Sequence, residues 1–264
     1  MKVAVMQIAA SLDKAENLGR LRALIEHAAD HGADLVVAPE GAMHDFGTPD
    51  LALGPVAEQL DGPFVSGVAE AARRRGIAVI AGMFEVADGA RVFNTVVAVS
   101  PQGDLLGRYR KQHLFDALGW MESDRLASGD PDDRLVVPIA GMSVGVMTCY
   151  DVRFPELARA LADDGAEVLV VPSAWVAGEH KLEQWQALTT ARAIENVCYV
   201  AGSVQNPPLY TGGSRIVDPW GRVIAEIAAG DEGLAMAELS ADEVKRCREK
   251  MPSLANRRWK VEPR

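Results

Sequence analysis

Two residue periods alternate along the chain. Short apolar, β-branched runs of strand length occur at residues 2–7 (KVAVMQ), 35–38 (LVVA), 76–82 (GIAVIAG), 143–148 (SVGVMT), 168–171 (VLVV) and 196–202 (NVCYVAG). Between them lie amphipathic stretches at helical spacing, such as residues 21–31 and 157–164, stopped by Gly32 and Gly165. Each stop is followed by an acidic residue, a continuous apolar strand and a proline, Pro39 or Pro172. Pro-x-Gly turns join strand-like runs at 99–106 (VSPQGDLL) and 217–224 (VDPWGRVI).

These segments recur in one order. Residues 2–7 match 143–148, 21–40 match 157–173, 76–82 match 196–202, and 99–106 match 217–224. Each half then reads β-α-β, helix-β and a hairpin. A β-α-β step implies parallel neighbours with a right-handed crossover. Strands that are apolar throughout need cover on both faces. The pattern therefore predicts an α/β fold, a four-layer α-β-β-α sandwich with two mixed sheets and an internal pseudo-repeat. No Pro/Ser-rich linker separates the halves, so residues 1–264 are expected to form a single domain. The repeat also assigns the amino terminus. Residues 1–10 (MKVAVMQIAA) imitate a signal peptide, but the run is short, Gln7 breaks it, and it is the first strand of the first half.

Composition narrows the class. Of 264 residues 48% are hydrophobic, enough for a sizeable core and against disorder. The net charge of −10 disfavours nucleic acid and anionic membrane surfaces as partners. No window reaches the roughly 18 apolar residues of a membrane helix; the longest candidate is cut by Pro172 and Ser173. Cys149, Cys198 and Cys247 are too few and too odd for a disulfide framework. That usage fits a reducing, cytoplasmic location. Charge is uneven: residues 245–264 form a basic tail of eight Lys/Arg against Glu249 and Glu262. The tail also carries Leu254, Trp259 and Val261. It is expected to pack across a homodimer interface against acidic body surface.

Ligands of open α/β sheets gather outside the carboxyl ends of parallel strands. Cys149 follows one such strand and Glu40 follows another, from the other half. A thiol and a carboxylate converging there suggest a nucleophile and its base. Cys198 lies inside a strand run and Cys247 on a charged helix, and both read as bystanders. Lys111, beside His113-Leu114-Phe115, is expected to be half buried, where a lysine acquires a role. Pro155 suits the first turn of the following helix. Cys149 would sit just before that helix, whose dipole favours a thiolate and whose N–H groups can bind an oxyanion. His27 and His31 stand four apart but read as a solvated face, so no metal is expected. The G-x-S-x-G around Ser143 begins a strand instead of ending one, the wrong context for a serine nucleophile.

The chain resembles the nitrilase superfamily of carbon–nitrogen hydrolases. The resemblance rests on APE at 38–40, YRKQHLF at 109–115, ESD at 122–124, CYDVRFPEL at 149–157, ARAIEN at 191–196 and DPWG at 218–221. It implies an α-β-β-α sandwich, Glu40 as general base, Lys111 as catalytic lysine, Cys149 as nucleophile and Glu122 as a second glutamate. It implies a thiol amidohydrolase that cleaves a small amide through a Cys thioester, with no cofactor. The residues after Cys149 look like the small-amide branch, which includes omega-amidases and deaminated glutathione amidases. A nitrilase, an N-carbamoyl amidohydrolase or a non-catalytic binding scaffold on the same fold are the alternatives. Tyr150 supplies an oxyanion N–H. Trp175 either walls the pocket or packs in the core. Arg153 either holds an acidic substrate or pairs with Asp151 or Glu156. A homodimer or higher homo-oligomer is expected.

Overall fold

The computed structural model describes residues 1–262. In the first half, β1 (Lys2–Ile8), α1 (Lys14–Asp30) and β2 (Leu35–Val37) lead through α2 (Pro63–Arg75) to β3 (Ala78–Val86), β4 (Val92–Val99) and β5 (Leu105–Arg110). A small hairpin of β6 (Asp116–Ala117) and β7 (Trp120–Met121) follows, and β8 (Leu126–Ala127) joins β4. The second half comprises β9 (Leu135–Ile139), β10 (Met142–Val146), α3 (Pro155–Asp163), β11 (Val168–Ser173), α4 (Lys181–Asn196), β12 (Tyr199–Gln205), β13 (Arg215–Val217) and β14 (Val223–Glu226). Then β15 (Gly233–Glu238) returns to β1, and α5 (Ala241–Lys250) follows.

Sequence explains the helix ends. The carboxylate of Asp13 caps α1 by accepting from Ala15 N and Glu16 N. Pro63 and Pro155 occupy first turns. Gly76 stops α2 in the left-handed conformation, at φ 64°. Leu21, Ile25 and Ala28 lie on the buried face of α1, where each large side chain contributes about 1.5–3 kcal/mol.

Strand order in the first half is β5-β4-β3-β2-β1, with β15 beyond β1; in the second it is β9-β10-β11-β12, with β13 and β14 beyond β12. β1, β2 and β3 pair in parallel, as do β10, β11 and β12, and the flanking strands pair antiparallel. Side-chain alternation separates the layers. Val3, Val5, Leu35, Val37, Ala78 and Ile80 face a core shared with β10 and β11 of the other half. Ala4, Met6, Val36, Val79 and Ala81 face α1 and α2. The two sheets are not separate, as sequence suggested. They meet along a short parallel seam where Gln7 and Ile8 register with Val204 and Gln205.

Two local expectations are refined. The chain after Cys149 first makes a 3-10 turn over Cys149–Arg153, and α3 begins only at Pro155. In the tail, Arg257 hydrogen-bonds Asp163 of the same chain, and Trp259 is exposed. Arg264 of that tail lies outside the described residues. Among the described residues no helix is long and apolar enough to cross a membrane.

Candidate active site

The carboxyl ends of β2, β5 and β10 and the turn after the β6–β7 hairpin deliver four ionisable groups to one buried point. Glu40 leaves β2 through Pro39, and Lys111 directly follows β5. Cys149 follows β10, and Glu122 opens the short turn after the β6–β7 hairpin. All four are buried. Lys111 Nζ donates to Glu40 Oε1 at 3.0 Å and to both oxygens of Glu122 at 3.0 and 2.9 Å. Asn94 Nδ2 also donates to Glu40 Oε1 at 2.6 Å, and Ala174 N donates to Oε2 at 2.6 Å. Phe115 N donates to Glu122 Oε2 at 2.7 Å. Each carboxylate thus accepts several charged or backbone donors, as buried charge requires.

Gly82 allows this approach. A Cβ there would lie 2.8 Å from Glu40 Cα and 2.8 Å from Gly41 N. Only a residue without a side chain lets β3 run behind the Glu40 turn. Gln205 at the end of β12 anchors the same turn from the other half, donating to Glu40 O at 3.0 Å.

Cys149 has φ 47°, the left-handed region, which costs a non-glycine residue of order 1–3 kcal/mol. The surroundings enforce it. Thr148 Oγ1 donates to Pro172 O at 2.7 Å, and Asp151 N to Thr148 O at 3.0 Å. The Asp151 carboxylate, fully buried, accepts Thr148 N at 2.9 Å, Tyr109 OH at 2.7 Å and His113 N at 3.2 Å. His113 Nδ1 completes the set at 2.7 Å, with its ring stacked on Phe154. Asp151 therefore ties the segment carrying Lys111 to the turn carrying Cys149.

A helix amino terminus near Cys149 was expected to pull toward a thiolate. Burial, then the Glu40 charge, instead pushes the thiol well above its ordinary range, against the opposing pull of Lys111. The cause is desolvation, which outweighs one short turn's dipole. The resting group is a thiol beside a carboxylate. Burial alone would depress Lys111, but Glu122 and Glu40 overcome it and hold the ammonium well above its usual value. Glu122 is raised by burial; Lys111 opposes this and the Glu40 charge adds to it.

A pocket opens onto the Cys149 thiol, with Glu122, Tyr150, Trp175, Phe115, Trp120 and Lys181 among its walls. Trp175 and Tyr150 both line it. Trp175 is also core, its Nε1 donating to Lys181 O at 2.7 Å. Arg153 is not among the lining residues. It donates to Gln184 Oε1 at 2.5 Å and lies 4.9 Å from the Trp175 ring. The pairing with Asp151 or Glu156 is not formed, because Asp151 is already filled by four donors. Sequence reasoning missed Asn94, Asp151 and Lys181. Lys181 carried a signal: a cation at the first position of a helix opposes the dipole.

The profile of the carbon-nitrogen hydrolase family matches residues 2–249. The chain belongs to this family. Deaminated glutathione amidase of Escherichia coli O157:H7 is 36% identical over 98% of this chain and 98% of its own. Omega-amidase NIT2 of Danio rerio is 33% identical, covering 97% of this chain and 94% of its own. Among solved structures, the amidase of Nesterenkonia sp. AN1 superposes with a TM-score of 0.84 at 28% identity, over 98% of this chain and 96% of that one. One structure of a glutamate-to-glutamine variant of that amidase shows covalent addition of the acetamide moiety of fluoroacetamide at the active site cysteine. This carbon–nitrogen hydrolase is thus an α/β enzyme of the nitrilase superfamily acting on amide bonds.

Proposed function

We propose that the protein hydrolyses a small linear amide to a carboxylic acid and ammonia through a thioester on Cys149. The buried Glu40–Lys111–Glu122 ion-pair cluster beside a protonated thiol carries this reading. A scaffold gains nothing from three mutually facing charges in its core, since desolvating them is costly. Glu40 takes the thiol proton as Sγ attacks the amide carbon. Negative charge developing on the carbonyl oxygen meets the Lys111 ammonium and the N–H of Tyr150. That N–H is free of the turn, whose first backbone bond runs from Asp151 N to Thr148 O. The intermediate collapses, the C–N bond breaks, and Glu40 returns its proton to the departing ammonia. Water then attacks the thioester while Glu40 takes its proton. The C–S bond breaks, and the thiol is reprotonated. Glu122 keeps Lys111 charged throughout. Tyr150 and Trp175 bound the acyl chain.

The names of the relatives favour amides over nitriles and ureido compounds. We further read the chain as a homodimer, to which the basic tail contributes. Ammonia release across a panel of amides, nitriles and N-carbamoyl compounds tests the reaction, with Cys149→Ala as control. Amide turnover that disappears in the variant, with a trapped acyl mass on Cys149, is the expected result. Turnover persisting in Cys149→Ala would overturn the mechanism.

A further inference from the structure

Asn94 is a polar side chain where the pattern of β4 calls for an apolar one. Val96 and Ala98, two and four residues on, share its face of the strand and are core. Asn94 is 1% exposed. Half of its amide serves Glu40, Nδ2 donating to Oε1 at 2.6 Å. The other half, Oδ1, is buried with no donor among the described residues. A valine there would continue the core without an orphaned acceptor. Turning the amide over would set Oδ1 against the Glu40 carboxylate, so that contact fixes its orientation. The main chain of the same residue accepts Lys111 N at 2.9 Å. Asn94 therefore touches Glu40 with its side chain and Lys111 with its backbone.

The two oxygens of Glu40 are held unequally. Oε1 accepts two donors, Asn94 Nδ2 at 2.6 Å and Lys111 Nζ at 3.0 Å. Oε2 accepts one, Ala174 N at 2.6 Å. Ala174 lines the pocket together with Cys149, and neither Asn94 nor Lys111 is among the lining residues. The lightly held oxygen is therefore the one on the thiol's side. We propose that Asn94 is a positioning residue that reserves Oε2 of Glu40 for the Cys149 proton. This inference rests on the amidase reading and goes beyond it. With Oε1 filled, the S–H bond breaks toward Oε2, an O–H bond forms there, and the sulfur electron pair goes to the amide carbon. As the C–N bond breaks, the same Oε2–H returns its proton to nitrogen. Oε1 keeps both donors throughout, so the carboxyl need not turn between the two transfers. Sharing Oε1 with Asn94 also makes that oxygen a poorer acceptor for the Lys111 proton, and the lysine stays charged toward the oxyanion.

The test uses Asn94→Val and Asn94→Asp in the full chain. Valine suits a buried strand and removes the donor. Aspartate keeps the shape and replaces the donor by an anion. The charged and titratable groups facing Glu40, which are Lys111, Glu122, Cys149 and Tyr210, stay in both variants. In Asn94→Val, kcat should fall about tenfold or more with KM little changed, because the pocket wall is intact. The acidic limb of the kcat/KM profile should move up by about one pH unit, since a donor to the ionised carboxylate is gone, and Asn94→Asp should move it at least as far. The second measurement is the rate of Cys149 alkylation by iodoacetamide, read as the mass of the peptide carrying Cys149. It should fall about tenfold at neutral pH in both variants. A folded variant with an unmoved acidic limb and an unaltered alkylation rate would overturn the proposal and leave the amidase reading intact. Lost turnover with both of those readouts unmoved would also overturn it, as a merely structural role. Asn94-dependent alkylation in a protein that hydrolyses no amide would uphold the proton transfer to Glu40 and sink the amidase reading instead.

Discussion

Asp151→Asn isolates how the site is held together. The buried carboxylate accepts four donors, two on each oxygen: His113 N and Nδ1 on Oδ1, Tyr109 OH and Thr148 N on Oδ2. An amide keeps one oxygen and places N–H where the other stood. At Oδ2 the Tyr109 hydroxyl can turn to accept, but Thr148 N–H cannot. At Oδ1 the His113 ring can change tautomer, but His113 N–H cannot. One hydrogen bond to a charged acceptor is lost, about 1.5–3 kcal/mol, and one buried N–H is orphaned, about 1–3 kcal/mol. Removing a buried charge offsets part of this, so the net destabilisation is about 2–4 kcal/mol. For a chain of this size that lowers Tm by about 5–15 °C. Urea unfolding followed by circular dichroism and tryptophan fluorescence together measures it, coincidence of the two establishing a two-state transition. Amidase kinetics should show kcat falling about 10- to 100-fold with KM little changed, because Lys111 and Cys149 lose their mutual placement. Tyr109→Phe should couple to Asp151→Asn by more than about 0.5 kcal/mol in a double-mutant cycle. A loss under about 1 kcal/mol with unaltered kcat would refute the hub.

Gly82→Ala places a methyl 2.8 Å from the Glu40 backbone; it should cost about 1–3 kcal/mol in urea unfolding and lower kcat as the turn shifts. Cys198, pushed up to about 12 by burial, makes stability fall with pH. Its raised folded value means the contribution is whole below about 8.5, where the unfolded thiol titrates, and is lost between there and about 12. From pH 8 to pH 10 the protein should therefore lose about 2 kcal/mol more than Cys198→Ala does, read from urea midpoints; equal losses would contradict this. For the proposed homodimer, ending the chain at Pro252 should leave a monomer in gel filtration, and a dimer that survives at high salt would remove the tail from the interface.

The central parallel strands and the ends of α1 and α3 were legible because those strands are continuous apolar runs and those two helices carry their own stops, at Gly32 and Gly165. The convergence of Glu40 and Cys149 was legible because both follow parallel strands. Asp151 was not, because its four partners come from 109–113 and 148, and no local pattern announces a contact across a sheet. Lys181 was overlooked because its aromatic neighbours, Phe115 and Trp175, are distant or screened by a loop. The upward push on the Cys149 thiol was not legible for a related reason: a turn's dipole shows in sequence, but desolvation depends on everything packed around it.

The seam between the sheets has a mechanical consequence. Gln7 and Ile8 meet Val204 and Gln205 at the carboxyl ends of their strands, the same end at which Glu40 hangs from the Gln205 amide. The sandwich is bound there like a book at its spine, with the Glu40 carboxylate stitched into the binding. Thermal breathing opens the leaves at the opposite margin first. Amides of Val204 and Gln205 should thus be among the last to exchange with deuterated solvent, and the enzyme should stay competent until the whole volume comes apart.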